Sequence, residues 1–546
     1  MSVGRRITLL AVGIVAGLTA AAVMILIMAA ARTWLGISPP PEAVPDRLAP
    51  TLSIEKFFSL FGQYGGYNGL KQFGIKVGIS ALVGAGVLFG LLYALVASSA
   101  RGKNAPRWPG GVSRFGAIFL IGAASVLWLG SMILLWPVLA SNFRGLPPSQ
   151  ARWVSSIALM IEYALFGATL AFTFHKIAPD NVLLQSTDGV SDVDEKLPSF
   201  GRTVGRRAIL ATVATALISA PSFGLIRRLY NRATFDYDGR PYSGPGVKPI
   251  APNDQFYTVT KNVVDPNISK RVWALEITGK VDSPKTYDFD QLVSLGAIEQ
   301  ETTLMCISNT IGAGLFSNAV WTGVPMAALL TASGVSPDAV EVKLHAADGY
   351  TDTFAIEKAL DPTTMVVYLM NGDPLPERHG YPARVIVPGL FGEKNVKWVT
   401  GIEVIDYDGQ GFYEQQGWGP SFVIPTRSDI FAPQWRRGSK GDAFVDPFNR
   451  NRVATIKGRA FGGNRGIRTV EVSVDGGESW NPATIDYPGT RLTWTFWSYR
   501  WTPTTVGDIV VLSRAVDGEG GAQSSEKRGI VAQGATGYHK VTAHVL

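Results

Sequence analysis

The chain has 546 residues, of which 46% are hydrophobic and 17% charged, with a formal charge of +7 and one cysteine. This length exceeds what a single core supports and implies several folded units. One cysteine excludes an intrachain disulfide, a Cys-rich iron–sulfur or zinc site and a c-type haem, which needs Cys-x-x-Cys-His. The positive charge gathers in loops flanking apolar runs, which suits a membrane topology and argues against nucleic-acid binding.

Five apolar stretches come first: Ile7 to Ala31, Gly74 to Ser99, Phe115 to Ala140, Trp153 to Ile177 and Ala208 to Ile226. Each approaches the roughly 20 residues that a helix needs to cross hydrocarbon. Residues 1–230 are therefore expected to form an anchor of about five transmembrane helices in contact with lipid. Arg5 and Arg6 precede the first stretch, Arg101, Lys103, Arg107 and Arg114 lie between the second and third, and Lys176, Arg202, Arg206 and Arg207 lie between the fourth and fifth. The positive-inside rule places all three clusters, and the N-terminus, in the cytoplasm, so that everything after Leu225 lies on the extracytoplasmic face. Arg227, Arg228 and Arg232 run against this, next to a folded domain where the rule is weak. Gly205-Arg206-Arg207-Ala208 resembles an internally placed twin-arginine export signal, which moves folded proteins. His175 is the only histidine in these spans, which argues against a haem held by two membrane histidines. Glu162 lies inside the fourth span, as a functional carboxylate or as one paired with a neighbouring helix.

Residues 231–252, rich in Gly, Pro and Asp, read as a linker. Short β-runs alternate with helical patches over 253–433, which predicts an α+β catalytic domain. A less regular connector, 434–452, leads to 453–546. There the alternating Arg468-Thr469-Val470-Glu471-Val472-Ser473-Val474, the turn Asp475-Gly476-Gly477 and then Ser479-Trp480 predict an immunoglobulin-like sandwich.

Cys306 ends a strand-like run that breaks into Ile307-Ser308-Asn309 and the glycines Gly312 and Gly314. A thiol opening onto such a loop is placed to meet a ligand, and thiolate is a soft donor for a high-valent metal. A small buried hydrophobe is the alternative. Further on, turn formers bracket His379 and Arg384, and Gly392-Glu393-Lys394-Asn395-Val396-Lys397-Trp398 follows. Arg and Lys in loops whose amides are freed by Gly and Pro make an anion site, which a phosphate-bearing cofactor would fit.

This constellation resembles the sulfite oxidase family of molybdopterin enzymes. The resemblance runs from about Asn253 to the C-terminus through Trp321-Thr322-Gly323-Val324-Pro325, Met370-Asn371-Gly372, His379-Gly380 with Arg384, and Val396-Lys397-Trp398. The last unit resembles that family's dimerisation domain. The resemblance implies a single molybdopterin whose molybdenum is bound by Cys306, with Tyr257, Thr258, Asp348, His379, Arg384, Asn395, Val396 and Lys397 in the segments that hold the pterin and its phosphate. It further implies oxygen-atom transfer to or from a small substrate.

Two departures bear on the substrate. Sulfite-oxidising members carry Cys-x-Gly-Asn-Arg, and that arginine helps neutralise the dianion; here the stretch is Cys306-Ile307-Ser308-Asn309-Thr310. Where the family has a tyrosine near the metal, this chain places Trp418, with Tyr413 five residues earlier. A buried anion without a counter-charge is costly, so an S-oxide or N-oxide becomes comparable to sulfite as substrate. No electron-carrier motif is visible, which implies an external redox protein or a quinone- or haem-bearing subunit. Two other readings stay open at this point: a non-catalytic surface protein on a degenerate scaffold, and a thiol hydrolase with Cys306 as nucleophile and His379 as base.

Overall fold

The computed structural model describes residues 3–65, 67–99, 112–178, 202–230, 240–262, 264–439 and 441–546. Two compact units emerge: Met1–Ala49 with Tyr67–Phe143 and Pro148–Phe235, and Pro50–Gly66 with Arg144–Pro147 and Asp236–Leu546.

The first unit contains α1 (Val3–Ala30), continued by a π-helical turn at Ala31–Leu35, and α2 (Pro40–Leu48). The chain then leaves it for α3 (Ile54–Tyr64) and returns as α4 (Tyr67–Ser99), α5 (Arg114–Leu135), α6 (Pro148–Ile177) and α7 (Arg202–Tyr230). Among the described residues four segments, Arg6–Leu35, Gln72–Ala97, Arg114–Leu135 and Pro148–Ile177, are long and apolar enough to cross a membrane. The fifth apolar run does fold as a helix, α7, with Arg206 and Arg207 in its early turns, but it is not among those four. Its arginines, threonines and serines, with Pro221 inside, dilute the apolar surface. Arg101, Lys103 and Arg107, and linker positions 231–239, lie outside the described residues. Helices α1 and α4 cross closely at Gly13 and Gly17 opposite Gly90 and Gly86, where a Cβ would strike the facing backbone. Small residues at such a crossing let two membrane helices approach.

The second unit holds the α+β body. One sheet runs in the order Lys285–Asp288, Ala274–Gly279, Val399–Ile405, Glu341–Ala346, Thr351–Ala355, with Ala274–Gly279 parallel to Val399–Ile405. The other pairs Ile298–Met305 with Phe316–Pro325 and that strand with Met365–Met370, against which Arg384–Ile386 lies. The helices Phe289–Ser294 and Met326–Ser333 accompany these sheets, the first fixed by a capping box between Asp288 and Gln291. Trp273, Leu275, Leu330, Val366 and Trp398 share one buried core between them.

Two further sheets form a sandwich. Arg427–Ala432, Ala454–Phe461, Thr495–Trp501 and Thr484–Tyr487 make one; Trp435–Gly438, Gly441–Phe444, His539–Val545, Gly507–Asp517, Ile467–Ser473 and Asn481–Pro482 make the other. Ile430, Ile456 and Trp497 of the first pack with Val472, Val511 and Val541 of the second. The stretch 434–452, expected as a connector, carries two of these strands, and the sandwich already begins at Arg427. The reason is long-range: Asp442 and Ala443 pair with Val541 and Thr542 near the chain end, and Phe444 and Phe448 fill the sandwich core. Local periodicity carries no trace of such a partner.

Candidate functional site

Cys306 follows directly on the strand Ile298–Met305, so its position is set by that strand's pairing, Met305 opposite Phe316. Its N–H donates to Leu315 O at 3.0 Å, its carbonyl accepts from Asn309 N at 3.0 Å, and Sγ lies 3.0 Å from Ser308 Oγ. Burial pushes the thiol up to about 11. The loop is also clamped from the sandwich. Arg427 donates to Asn309 O at 3.4 Å and to Thr310 O at 3.2 Å, and is itself ion-paired with Asp429 at 2.8 Å. Asp429 in turn accepts from Gly312 N at 2.9 Å. Arg437 donates to Thr310 Oγ1 at 3.0 Å, with its charge already met by Asp442 at 3.1 Å. Among the described residues, both guanidiniums that reach Thr310 are thus already ion-paired.

A basic pocket forms on the neighbouring loops. Arg384 donates to His379 O at 3.1 Å and to Asn395 O at 3.0 Å, and stacks 5.1 Å over Trp321. Its Nε is buried without an acceptor among the described residues. His379 Nε2 donates to Asn253 O at 3.0 Å, and its ring meets Phe256 edge-on at 5.4 Å. Lys397 donates to Val259 O and Arg378 O, both at 3.1 Å, and lies 4.2 Å over Trp398, whose backbone is left-handed at φ 55°. Burial holds all three bases down, His379 to about 3, Arg384 to about 10 and Lys397 to about 8; the charges of Arg384 and Lys397 further depress His379. Three bases whose charged forms burial disfavours are groups that an anion would stabilise, although Asp265 and Asp348 already act on Lys397.

The other expected cofactor contacts separate by what their side chains already do. Asn395 is spent on bracing its loop: Oδ1 accepts from Val387 N at 2.7 Å and Nδ2 donates to Phe391 O at 3.0 Å. Val396 is buried and its carbonyl accepts from Val385 N at 2.8 Å. Asp348 accepts from Asn262 Nδ2 at 2.8 Å and Tyr350 N at 3.0 Å, so it shapes a turn beside Lys397. Thr258 bridges to Arg240 through its backbone, whereas Tyr257 lies against the Cys306 loop. Gly392 permits that contact, since a Cβ there would lie 2.6 Å from Tyr257 Oη and 3.6 Å from Cys306 Cα. Tyr413 and Trp418 sit together, ring centroids 6.1 Å apart, with burial foremost pushing the Tyr413 hydroxyl up and the Cys306 thiolate charge adding to it. Trp418 Nε1 is a buried donor without an acceptor among the described residues.

Sequence reasoning missed an acidic cluster here. Lys394, whose loop suggested an anion site, is instead ion-paired with Asp352 at 2.7 Å and Glu414 at 3.0 Å. Tyr350 Oη donates to Asp352 at 2.6 Å. The Glu393 side chain accepts no hydrogen bond among the described residues; burial, with the charge of Asp352 behind it, pushes its carboxyl up to about 8 against the pull of Lys394. The partners lie 42 and 20 residues from Lys394 in sequence, and no local signal joins them.

These residues fit a molybdopterin. Among the described residues no group of three or more His, Cys, Asp or Glu side chains could hold a metal ion, so a metal at Cys306 would need most of its ligands from a cofactor. The thiol supplies one donor, burial disfavours the charged forms of His379, Arg384 and Lys397, and among the described residues Arg384 Nε and Trp418 Nε1 lack acceptors. A nucleophile–base pair is not formed, because Cys306 is bonded to Ser308 and His379 to Asn253.

The family model described as the oxidoreductase molybdopterin binding domain matches residues 262–413, and that of the Mo-co oxidoreductase dimerisation domain matches 430–545. The chain is 30% identical over 414 residues to the mitochondrial sulfite oxidase of Drosophila melanogaster, covering 65% of this chain and 67% of that one. It is 31% identical over 291 residues to the NADH nitrate reductase of Solanum lycopersicum, covering 43% of this chain but only 31% of that one. Among solved structures, the sulfane dehydrogenase SoxCD from Paracoccus pantotrophus aligns with a TM-score of 0.47 at 23% identity, over 55% of this chain and 85% of that one.

Proposed function

The chain belongs to the sulfite oxidase family of molybdopterin oxidoreductases, and from that premise we propose that it exchanges an oxygen atom with a small neutral substrate, an S-oxide or N-oxide, in preference to sulfite. The observation that carries this reading is the charge balance around Cys306: Thr310 stands where the family has an arginine, and Arg427 and Arg437, which reach its loop, are ion-paired with Asp429 and Asp442. A dianion entering such a pocket loses its hydration without a compensating cation.

Cys306 would bind the metal as thiolate, Arg384 and Lys397 would meet the pterin's phosphate by charge-assisted hydrogen bonds, and His379, a neutral ring anchored on Asn253 O, would turn Nδ1 to a donor of the pterin. When bound, the single pterin and its molybdenum supply the two-electron oxygen-atom exchange. Trp418 Nε1 and the Tyr413 hydroxyl, which burial keeps protonated, donate toward the substrate oxygen. Phe256, Trp321 and Phe391 exclude water behind them.

We read the first unit as a membrane anchor crossed five times, with α7 as the last crossing, export by the twin-arginine route at Arg206-Arg207, and the second unit on the extracytoplasmic face. Support comes from connectivity. Pro50–Gly66 and Arg144–Pro147, which follow the first and third apolar spans, belong to the same compact unit as Asp236–Leu546. An odd number of crossings before Asp236 puts all three on one side. The sandwich, read as immunoglobulin-like, carries the dimerisation-domain match that supports a homodimer. Electrons leave or arrive through an external redox protein or a quinone- or haem-bearing subunit.

A substrate panel tests the reading. The loaded enzyme is expected to turn over dimethyl sulfoxide or trimethylamine N-oxide with a higher kcat/KM than sulfite, and Thr310→Arg to raise the sulfite value about tenfold. A wild-type enzyme that strongly prefers sulfite overturns the substrate assignment.

A further inference from the structure

The helix α3 lies outside the stretch that resembles the family, yet it is built into the catalytic unit. Its side chains divide by helical spacing: Ile54, Phe57, Phe58 and Tyr64 are buried or half-buried, whereas Glu55, Lys56, Ser59 and Gln63 are exposed. Ile54 belongs to the buried cluster that also holds Tyr257, Met305 and Trp418, and Phe58, Tyr413 and Cys306 all pack against it. The Phe58 ring lies 6.2 Å from that of Trp418 at 54°, and Trp418 lies 6.1 Å from Tyr413 at 75°. Phe57 adds an edge-on contact to Phe58 at 6.3 Å.

We propose that Phe58 of α3 is a wall of the substrate pocket and limits the size of the molecule that can reach Cys306. This rests on the reading of Trp418 and Tyr413 as the substrate-facing residues. The indole whose N–H has no acceptor among the described residues is in ring contact with both Tyr413 and Phe58. The pocket is thus completed by a segment that the chain threads between α2 and α4, far in sequence from the cofactor domain. An aromatic ring at this edge favours a small, compact oxide and shuts out one carrying an aryl group. Its rival is a packing role alone, in which Phe58 only fastens α3 to the body.

The test uses the full chain, cofactor-loaded and in detergent or nanodiscs, and compares dimethyl sulfoxide with methyl phenyl sulfoxide. Phe58→Ala is expected to raise the ratio of kcat/KM for the aryl oxide over the methyl oxide about tenfold, and Phe58→Leu to keep the ratio within about threefold of wild type. A wall acts on selectivity, whereas a fastening acts on both substrates alike. An unchanged ratio in Phe58→Ala, or an equal loss for both substrates, overturns the proposal. If wild type reduces neither oxide, the substrate reading fails on its own. Phe58 is then judged by alkylation of Cys306, the chain's single thiol, in the cofactor-free full chain. Phe58→Ala should speed a pyrene maleimide about tenfold and iodoacetamide less than about twofold. Equal acceleration of both reagents, or none, overturns the wall.

Discussion

Cys306→Ala is expected to leave a folded chain that retains almost no molybdenum and turns over no substrate. The loop that carries the residue is held by groups the substitution does not touch: Leu315 N donates to Asn309 Oδ1 at 2.9 Å, and Arg427 and Arg437 grip the carbonyls of Asn309, Thr310 and Ile311. What is lost in the fold is one half-buried sulfur and its contact with Ser308, a change of about 1 kcal/mol. What is lost in function is the only protein thiolate available to the metal. Metal analysis beside a melting curve checks both halves. A folded Cys306→Ala variant with wild-type turnover excludes the ligand role.

Lys397→Met is expected to act with opposite signs on the two forms of the protein. In the cofactor-free chain the half-buried ammonium is held down to about 8, by burial foremost and the charge of Arg384 behind it, against the pull of Asp265 and Asp348. Removing it relieves a desolvated charge, offset by the bonds lost at Val259 O and Arg378 O, so the melting temperature stays level or rises. In the loaded enzyme the same change deletes a charge-assisted bond to the pterin's phosphate and should weaken retention at least about tenfold. A lysine that served the fold alone would lower both. The pH dependence has a definite sign. The folded pKa lies below the ordinary 10.5, so between about 8 and 10.5 the unfolded chain binds more protons. Cofactor-free stability therefore rises with pH across that window, and the Met variant should lose this contribution. Chemical denaturation at pH 8 and 10 reads it.

The basic pocket that we propose for the cofactor was legible as a cluster because its residues lie in local motifs. His379, Arg384 and Lys397 span 19 residues and meet across one loop pair, and Cys306 ends a strand whose alternation is visible in sequence. Asn395 and Asp348 were legible as positions but not as roles; only geometry reveals that Asn395 is taken up by backbone and Asp348 by Tyr350 N and the Asn262 side chain. The Asp352–Lys394–Glu414 cluster was hidden because its members come from a strand, a loop and a turn brought together by the sheet. For α3 a signal existed. Ile54, Phe57, Phe58, Phe61 and Tyr64 follow helical spacing, but so short an apolar stripe among membrane spans does not announce a catalytic partner. The strands at Trp435–Gly438 and Gly441–Phe444 depend on the distant strand His539–Val545, which local periodicity cannot supply.

The most direct measurement is the molybdenum and pterin content of the purified full chain, expressed in a host that makes molybdopterin. The account predicts about one molybdenum per chain with a single-pterin fluorescence signature after oxidation. Protein that is folded, carries intact Cys306 and holds neither molybdenum nor pterin contradicts it.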